Sequence, residues 1–228
     1  KIGAFETYPS NDSTRYLKEF GLDESISIYK GLLRYIGYCN TMVNLLKIKL
    51  IENTEEKNFE NTTYCQFIAK LIGSPSTDDI KSKFAEAMNM DVKDDFVKKL
   101  DWIGLFDDVQ VSLNSGTSSN LLVDLMLKKM GYKPYEKDMI IVHNEMFVEF
   151  PDRKEKRISS MVVEGIPYGD SAMSRAVSLP PAIAVKLILE GKIKGKGVCI
   201  PSTKEMYEPI LEEMETFGFS FKRETIIL

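Results

Sequence analysis

The 228-residue sequence is short of the residues on which much enzyme chemistry depends, with one histidine, one tryptophan and three cysteines. His143 and the widely spaced Cys39, Cys65 and Cys199 do not supply an ordinary four-ligand zinc site. An odd number of cysteines suits free thiols in a reducing compartment better than a disulfide framework. No G-x-G-x-x-G follows a predicted strand, and no G-x-x-x-x-G-K-[ST] is present. Gly191, Gly195 and Gly197 lie between a predicted helix end and a predicted strand, the reverse of the order that a phosphate-binding turn requires. No serine or cysteine sits in a nucleophile elbow. His143 falls on a predicted strand and reads as structural. No apolar run approaches the length of a bilayer span. A net charge of -4 argues against a general nucleic-acid surface, though not against a small basic pocket. The expectation is therefore no metal, no membrane and no nucleic acid.

What is present is ordinary for a folded domain: 43% apolar and 28% charged residues, enough for one large domain or two small ones. The chain opens on Lys1 inside an extended segment, Lys1 to Tyr8, with no signal-peptide pattern, as expected of a piece of a longer polypeptide. Asn11-Asp12-Ser13 and Asn61-Thr62-Thr63 match the glycosylation sequon, a pattern that often arises by chance. Tyr8 to Asp12 collects turn residues, and Ser25 to Tyr35 predicts a strand carrying Ile26, Ile28 and Leu32 or Leu33. From about 40 to 130 the apolar period becomes helical, through Met42, Leu45, Phe67, Ile68, Phe84, Phe96 and Leu122. Beyond Gly131 it returns to two: Met139–Val142 and Ile158–Val163 predict a hairpin turning at Pro151–Lys154. Pro180 and Pro181 predict the first turn of a helix over Ala182–Leu189, apolar on nearly all sides and stopped by Gly191. A strand at Gly197–Ile200, a helix with a Ser202–Glu205 capping box and a last strand through Phe219, Phe221 and Thr225 close the chain. The fold class is α+β: a mainly antiparallel sheet with a helical insertion, then a helix-strand-helix-strand segment.

Polar residues gather at the ends of the first two extended segments: Asn11, Asp12, Ser13, Lys30 and Arg34. Arg34, between Leu33 and Tyr35, reads either as an edge arginine whose head reaches water or as a rigid guanidinium gripping a carboxylate in bidentate fashion. Composition alone does not choose between these.

Glu6-Thr7-Tyr8-Pro9-Ser10-Asn11-Asp12-Ser13-Thr14 resembles the E-x-Y-P-N-R-D-S-T stretch of saccharopine dehydrogenases. Lys30-Gly31-Leu32-Leu33-Arg34-Tyr35-Ile36-Gly37-Tyr38 resembles their R-G-T-L-R-Y-x-G-Y, at a matching separation. Trp102 to Phe106 is similar to the family's W-L-G-L-F, and Ser171-Ala172-Met173 with Leu179 to Lys186 to its S-A-M and L-P-A-A-I-A-V-K. Lys204 to Leu211 is similar to the bifunctional lysine-degrading form in particular. The resemblance runs almost end to end with its motifs in order.

That resemblance implies the carboxy-terminal, substrate-binding half, over 1–228, of a glutamate-forming saccharopine dehydrogenase. The family enzyme oxidises a secondary amine with NAD or NADP held mainly by an amino-terminal Rossmann domain outside this chain. Implied with it are saccharopine as ligand, the Rossmann domain as partner in the same polypeptide, a homodimer, and a cytoplasmic or mitochondrial location. The family's carboxylate grips map onto Asn11 and onto Leu32, Leu33 and Arg34; no residue stands out as a general base. Here Asn11 replaces an arginine, Leu32 a threonine, and Lys30 another arginine. One lost charge-assisted contact costs about 1.5–3 kcal/mol, roughly ten- to a hundredfold in affinity. If Asp12 starts a helix, Arg15 lies one turn along and is placed to compensate. The changes at Asn11 and Leu32 favour a non-catalytic assembly or regulatory module, or a shifted substrate; the retained Arg34, Asp12 and Ser13 favour the enzyme.

Overall fold

Two helix starts in this chain are written in the sequence. The Thr63 hydroxyl accepts a hydrogen bond from the Gln66 N–H while the Thr63 N–H donates to the Gln66 side-chain oxygen, and Thr117 with Asn120 does the same. A computed structural model describes residues 3–25 and 27–228. It divides into two compact units, one of residues 3–8 and 32–131, the other of residues 9–25, 27–31 and 132–228. Strands β1 (Phe5–Pro9) and β2 (Gly31–Tyr35) pair in a two-stranded sheet.

The first unit is the helical block. Helices α2 (Tyr38–Lys47), α3 (Tyr64–Ile72), α4 (Ile80–Ala87), α5 (Asp95–Ile103) and α6 (Ser118–Met130) surround a core of Leu50, Ile68, Phe84, Phe96, Val97, Leu105 and Leu121, all essentially solvent-free. Phe84 meets Phe106 and Phe96 at ring separations of 5.3 and 6.4 Å. Two short strands, β3 (Lys57–Asn58) and β4 (Ser115–Gly116), pair antiparallel within it. In the Trp102–Phe106 motif, Leu105 and Phe106 are core residues and Gly104 closes α5 at φ 96°, where a Cβ would lie 2.8 Å from an Asp107 carboxylate oxygen.

The second unit holds the short helix α1 (Arg15–Glu19) and an antiparallel sheet in the order β5 (Met139–Glu149), β6 (Lys154–Glu164), β7 (Lys222–Ile227). Helices α7 (Ala172–Leu189) and α8 (Lys204–Thr216) pack on each other, and α7 packs on β5. Met161 and Val163 of β6 face a core of Ala172, Ile183, Leu187, Ile210, Met214 and Phe219.

The α+β class, the helical block and the hairpin match the sequence reading; several details do not. The strand expected from Ser25 begins only at Gly31, where β1 lies alongside to pair with it; Ile26 lies outside the described residues. Asp12 does not start a helix. Its carboxylate accepts from the Thr14 N–H and hydroxyl, and helix begins at Arg15. Helix α7 begins at Ala172, not Ala182. Ser171 caps the Ser174 N–H, and the Asp138 carboxylate takes the N–H groups of Ala172 and Met173, so Pro180 and Pro181 fall in the helix interior. Gly197–Ile200 forms no strand: among the described residues none lies alongside to pair with it, and Val198 is fully exposed. The glycines there therefore link two helices. The Ser202–Glu205 capping box is not made either; Thr203 precedes α8 without a side-chain cap, and the helix runs through Pro209.

Helix α7 is apolar on nearly all sides, as the sequence reads, but it is covered on one side only and not closely packed on two. Ala172, Ile183 and Leu187 are buried, while Met173, Val177, Val185, Ile188 and Leu189 are exposed. Its earlier start makes it long and apolar enough to cross a membrane, with a mean hydropathy of 1.4 over 18 residues, where the sequence reading found no such run. Arg175 donates to the Phe217 carbonyl and Lys186 pairs with Glu213 of α8 at 2.7 Å, ties that belong to a helix packed inside its own unit.

Candidate functional site

In the first unit the site is built around Arg34. Strand β2 carries Leu32, Leu33 and Arg34 in succession, and strand alternation sends the Leu33 side chain to the face opposite those of its two neighbours. Arg34 is half-buried. Its guanidinium carbon lies 5.2 Å from the Tyr38 ring centre and 5.7 Å from that of Tyr8, and these two rings stack 5.9 Å apart at 13°. Both distances lie within cation–π range, so the two rings attract the head group. One terminal nitrogen donates to the Leu33 carbonyl at 2.8 Å and the other to the Tyr8 hydroxyl at 3.4 Å. An arginine has five N–H donors; three remain without a partner among the described residues.

The same motifs supply the frame. Glu6 accepts N–H groups from Gly37 at 3.1 Å and from Cys39, which closes the start of α2 with a carboxylate from β1. The Cys39 N–H and then the Gly37 N–H hold the Glu6 carboxyl below the usual carboxylate range, with the Lys99 charge adding to the effect. Burial, then the Glu6 carboxylate, pushes the neighbouring Cys39 thiol up, which leaves it a poor nucleophile. Gly37 turns the chain from β2 into α2 at φ 94°.

Asn11 belongs to the other unit, and no hydrogen bond to its side-chain amide is found among the described residues. The Ser13 hydroxyl donates to the Asn11 carbonyl at 3.4 Å and accepts the Lys30 N–H at 3.0 Å, while the Ser10 N–H reaches the Lys30 carbonyl at 3.1 Å. Arg15 and the Lys30 ammonium each donate to the Tyr16 hydroxyl at 2.9 Å. Leu32, Leu33 and Arg34 are thus brought together in one unit, and Asn11 with Lys30, Arg15 and Tyr16 in the other. Sequence reading missed Glu6, Tyr8, Tyr16 and Tyr38. Tyr8 and Tyr38 lay inside the two matched motifs, but their ring faces become meaningful only once β1, β2 and α2 meet.

Other clusters offer less. His143 stands 2.7 Å from the Ser160 hydroxyl and 3.2 Å from Glu145, a hydrolytic set in composition alone. Ser160 lies mid-strand in β6 with neighbours on both sides, so its N–H serves the sheet rather than an oxyanion. No cluster of three or more His, Cys, Asp or Glu able to hold a metal occurs among the described residues. The glycine-bearing loop between α7 and α8 follows a helix rather than a strand, so the residues present do not fit a dinucleotide cradle.

The chain matches the profile of the family described as "Saccharopine dehydrogenase C-terminal domain" over residues 1–219. It is 32% identical to the mitochondrial alpha-aminoadipic semialdehyde synthase of Bos taurus, covering 97% of this chain and 24% of that protein. It is 29% identical to the saccharopine dehydrogenase [NADP(+), L-glutamate-forming] of Saccharomyces cerevisiae, covering 98% of this chain and 52% of that one. A solved structure, apo histidine-tagged saccharopine dehydrogenase (L-Glu forming) from Saccharomyces cerevisiae, superposes with a TM-score of 0.86 at 28% identity over 98% of this chain and 52% of the other. The chain therefore spans about half the length of the fungal dehydrogenases and about a quarter of the animal synthases.

Proposed function

The chain belongs to the family of saccharopine dehydrogenase C-terminal domains, and from that premise we propose that it is the substrate-binding and dimerising half of an NAD(P)-dependent saccharopine dehydrogenase. The whole enzyme oxidises the secondary amine of saccharopine and releases glutamate and aminoadipate semialdehyde. The dinucleotide, which accepts the hydride when bound, is held by an amino-terminal Rossmann half. This chain's own residues bind and orient the ligand.

The observation that carries this reading is Arg34: a guanidinium set against two tyrosine rings, with three N–H donors unspent among the described residues. Saccharopine has three carboxylates, and a pre-oriented guanidinium binds one at little further entropic cost. Leu32 beside it is apolar where the family carries a threonine, and Asn11 offers an amide in place of an arginine. Those two positions support the second reading, an enzyme of shifted substrate or a module without catalysis.

The test is saccharopine-dependent reduction of NAD+ and NADP+ by the full polypeptide, with Arg34→Ala measured beside it. The expected result is turnover whose kcat/KM falls roughly ten- to a hundredfold in the variant. No turnover with either dinucleotide, from folded protein that binds it, selects the second reading. The compartment that fits this activity is cytoplasmic or mitochondrial.

A further inference from the structure

Tyr16 is the meeting point of two cations. The Arg15 guanidinium and the Lys30 ammonium both donate to its hydroxyl at 2.9 Å, and they lie 4.7 and 4.8 Å from its ring centre. Like charges gathered on one neutral oxygen repel, and a nearby carboxylate would ordinarily offset the cost. None is within ion-pair distance of either cation among the described residues; Asp12 and Glu19 attract Arg15 only from farther off. The cations are not loose ends of mobile chain. The Lys30 backbone is pinned on both sides, by the Ser10 N–H at its carbonyl and the Ser13 hydroxyl at its N–H. Arg15 follows the turn closed by the Asp12 carboxylate on Thr14. The shared phenol gives both head groups a common anchor, and it leaves donors on each for a ligand.

We propose that Arg15, Lys30 and Tyr16 form an anion subsite that receives a carboxylate of a small polycarboxylic ligand. The Ser13 hydroxyl joins this cluster to the backbone of Asn11. The carboxylate as ligand class rests on the substrate reading above; the convergence of unpaired cations does not. The Lys30 and Arg15 contacts hold the Tyr16 phenol below the usual tyrosine range, as expected where positive potential awaits an anion.

The experiment is calorimetric titration of the full polypeptide with glutarate, its neutral diamide and inorganic phosphate. Wild type is compared with Arg15→Gln/Lys30→Gln and with the charge-keeping Arg15→Lys/Lys30→Arg, each checked for an unchanged melting temperature. The Tyr16 ring-carbon resonance is followed in parallel. The expected result is that glutarate binds and shifts Tyr16, that the glutamine pair weakens it roughly three- to tenfold per lost charge, and that the charge-keeping pair retains most of the affinity. Unchanged glutarate affinity in the glutamine pair overturns the subsite, and binding of phosphate in preference to glutarate overturns the carboxylate assignment. Saccharopine turnover that needs Arg34 but ignores the glutamine pair leaves the proposed function standing without this subsite. Glutarate binding lost in the glutamine pair, with no saccharopine turnover, does the reverse.

Discussion

Arg34 and Glu6 divide the labour at the residue scale: one offers unspent donors to a ligand, and the other holds the frame that aims it. Glu6 fastens β1 to the start of α2, which carries Tyr38 against the Arg34 guanidinium. Because its native pKa is lowered, its ionised form stabilises the fold above the ordinary glutamate range, and the contribution is lost as pH falls through the lowered native value. Glu6→Gln is therefore expected to lower the melting temperature at pH 7, with the gap from wild type closing as the pH is taken below that native value; an equal gap at every pH contradicts the charge account. Arg34 was legible from the sequence as a strand arginine with two readings, and its motif resemblance pointed to the second. Its tyrosine frame was not legible, because ring stacking depends on three elements converging. Nor was Tyr16, whose neighbours Arg15 and Lys30 are separated by fifteen positions along the chain.

Elements succeed or fail in the sequence reading according to whether their cause is local. Helices of the first unit have their period in the sequence, and α3, α5 and α6 their caps as well, so the block from 40 to 130 could be read directly. Phe96 sits solvent-free where α4 and α5 meet, and Phe96→Ala should cost about 3–5 kcal/mol in chemical unfolding; a loss below about 1 kcal/mol would mean the site collapses around the cavity. In helix α7 the prolines signal a start at Ala182, whereas Ser171 and Asp138 set the start ten residues earlier. Asp138 comes from the loop just before β5 and has no local signature. Ser171→Ala is expected to cost about 1 kcal/mol by removing the cap on the Ser174 N–H. Gly197–Ile200 failed for the opposite reason: its short apolar run is real, but a strand needs a neighbour to pair with.

At the scale of the whole molecule, α7 presents an apolar outward face along Met173, Val177, Val185, Ile188 and Leu189. In the proposed function this face packs on the Rossmann half. A hydrophobic dye should accordingly bind strongly to the 228-residue chain alone and weakly to the full polypeptide; equal binding to both contradicts that packing. The central claim is that this chain grips the ligand's carboxylates while the redox partner sits elsewhere. A crystal structure of the full polypeptide with saccharopine and the oxidised dinucleotide tests it most directly. The account predicts a ligand carboxylate within hydrogen-bond distance of the Arg34 guanidinium, with the dinucleotide on residues outside this chain. A saccharopine molecule bound with every carboxylate held elsewhere, and Arg34 still turned only to the Leu33 carbonyl and Tyr8, would contradict it.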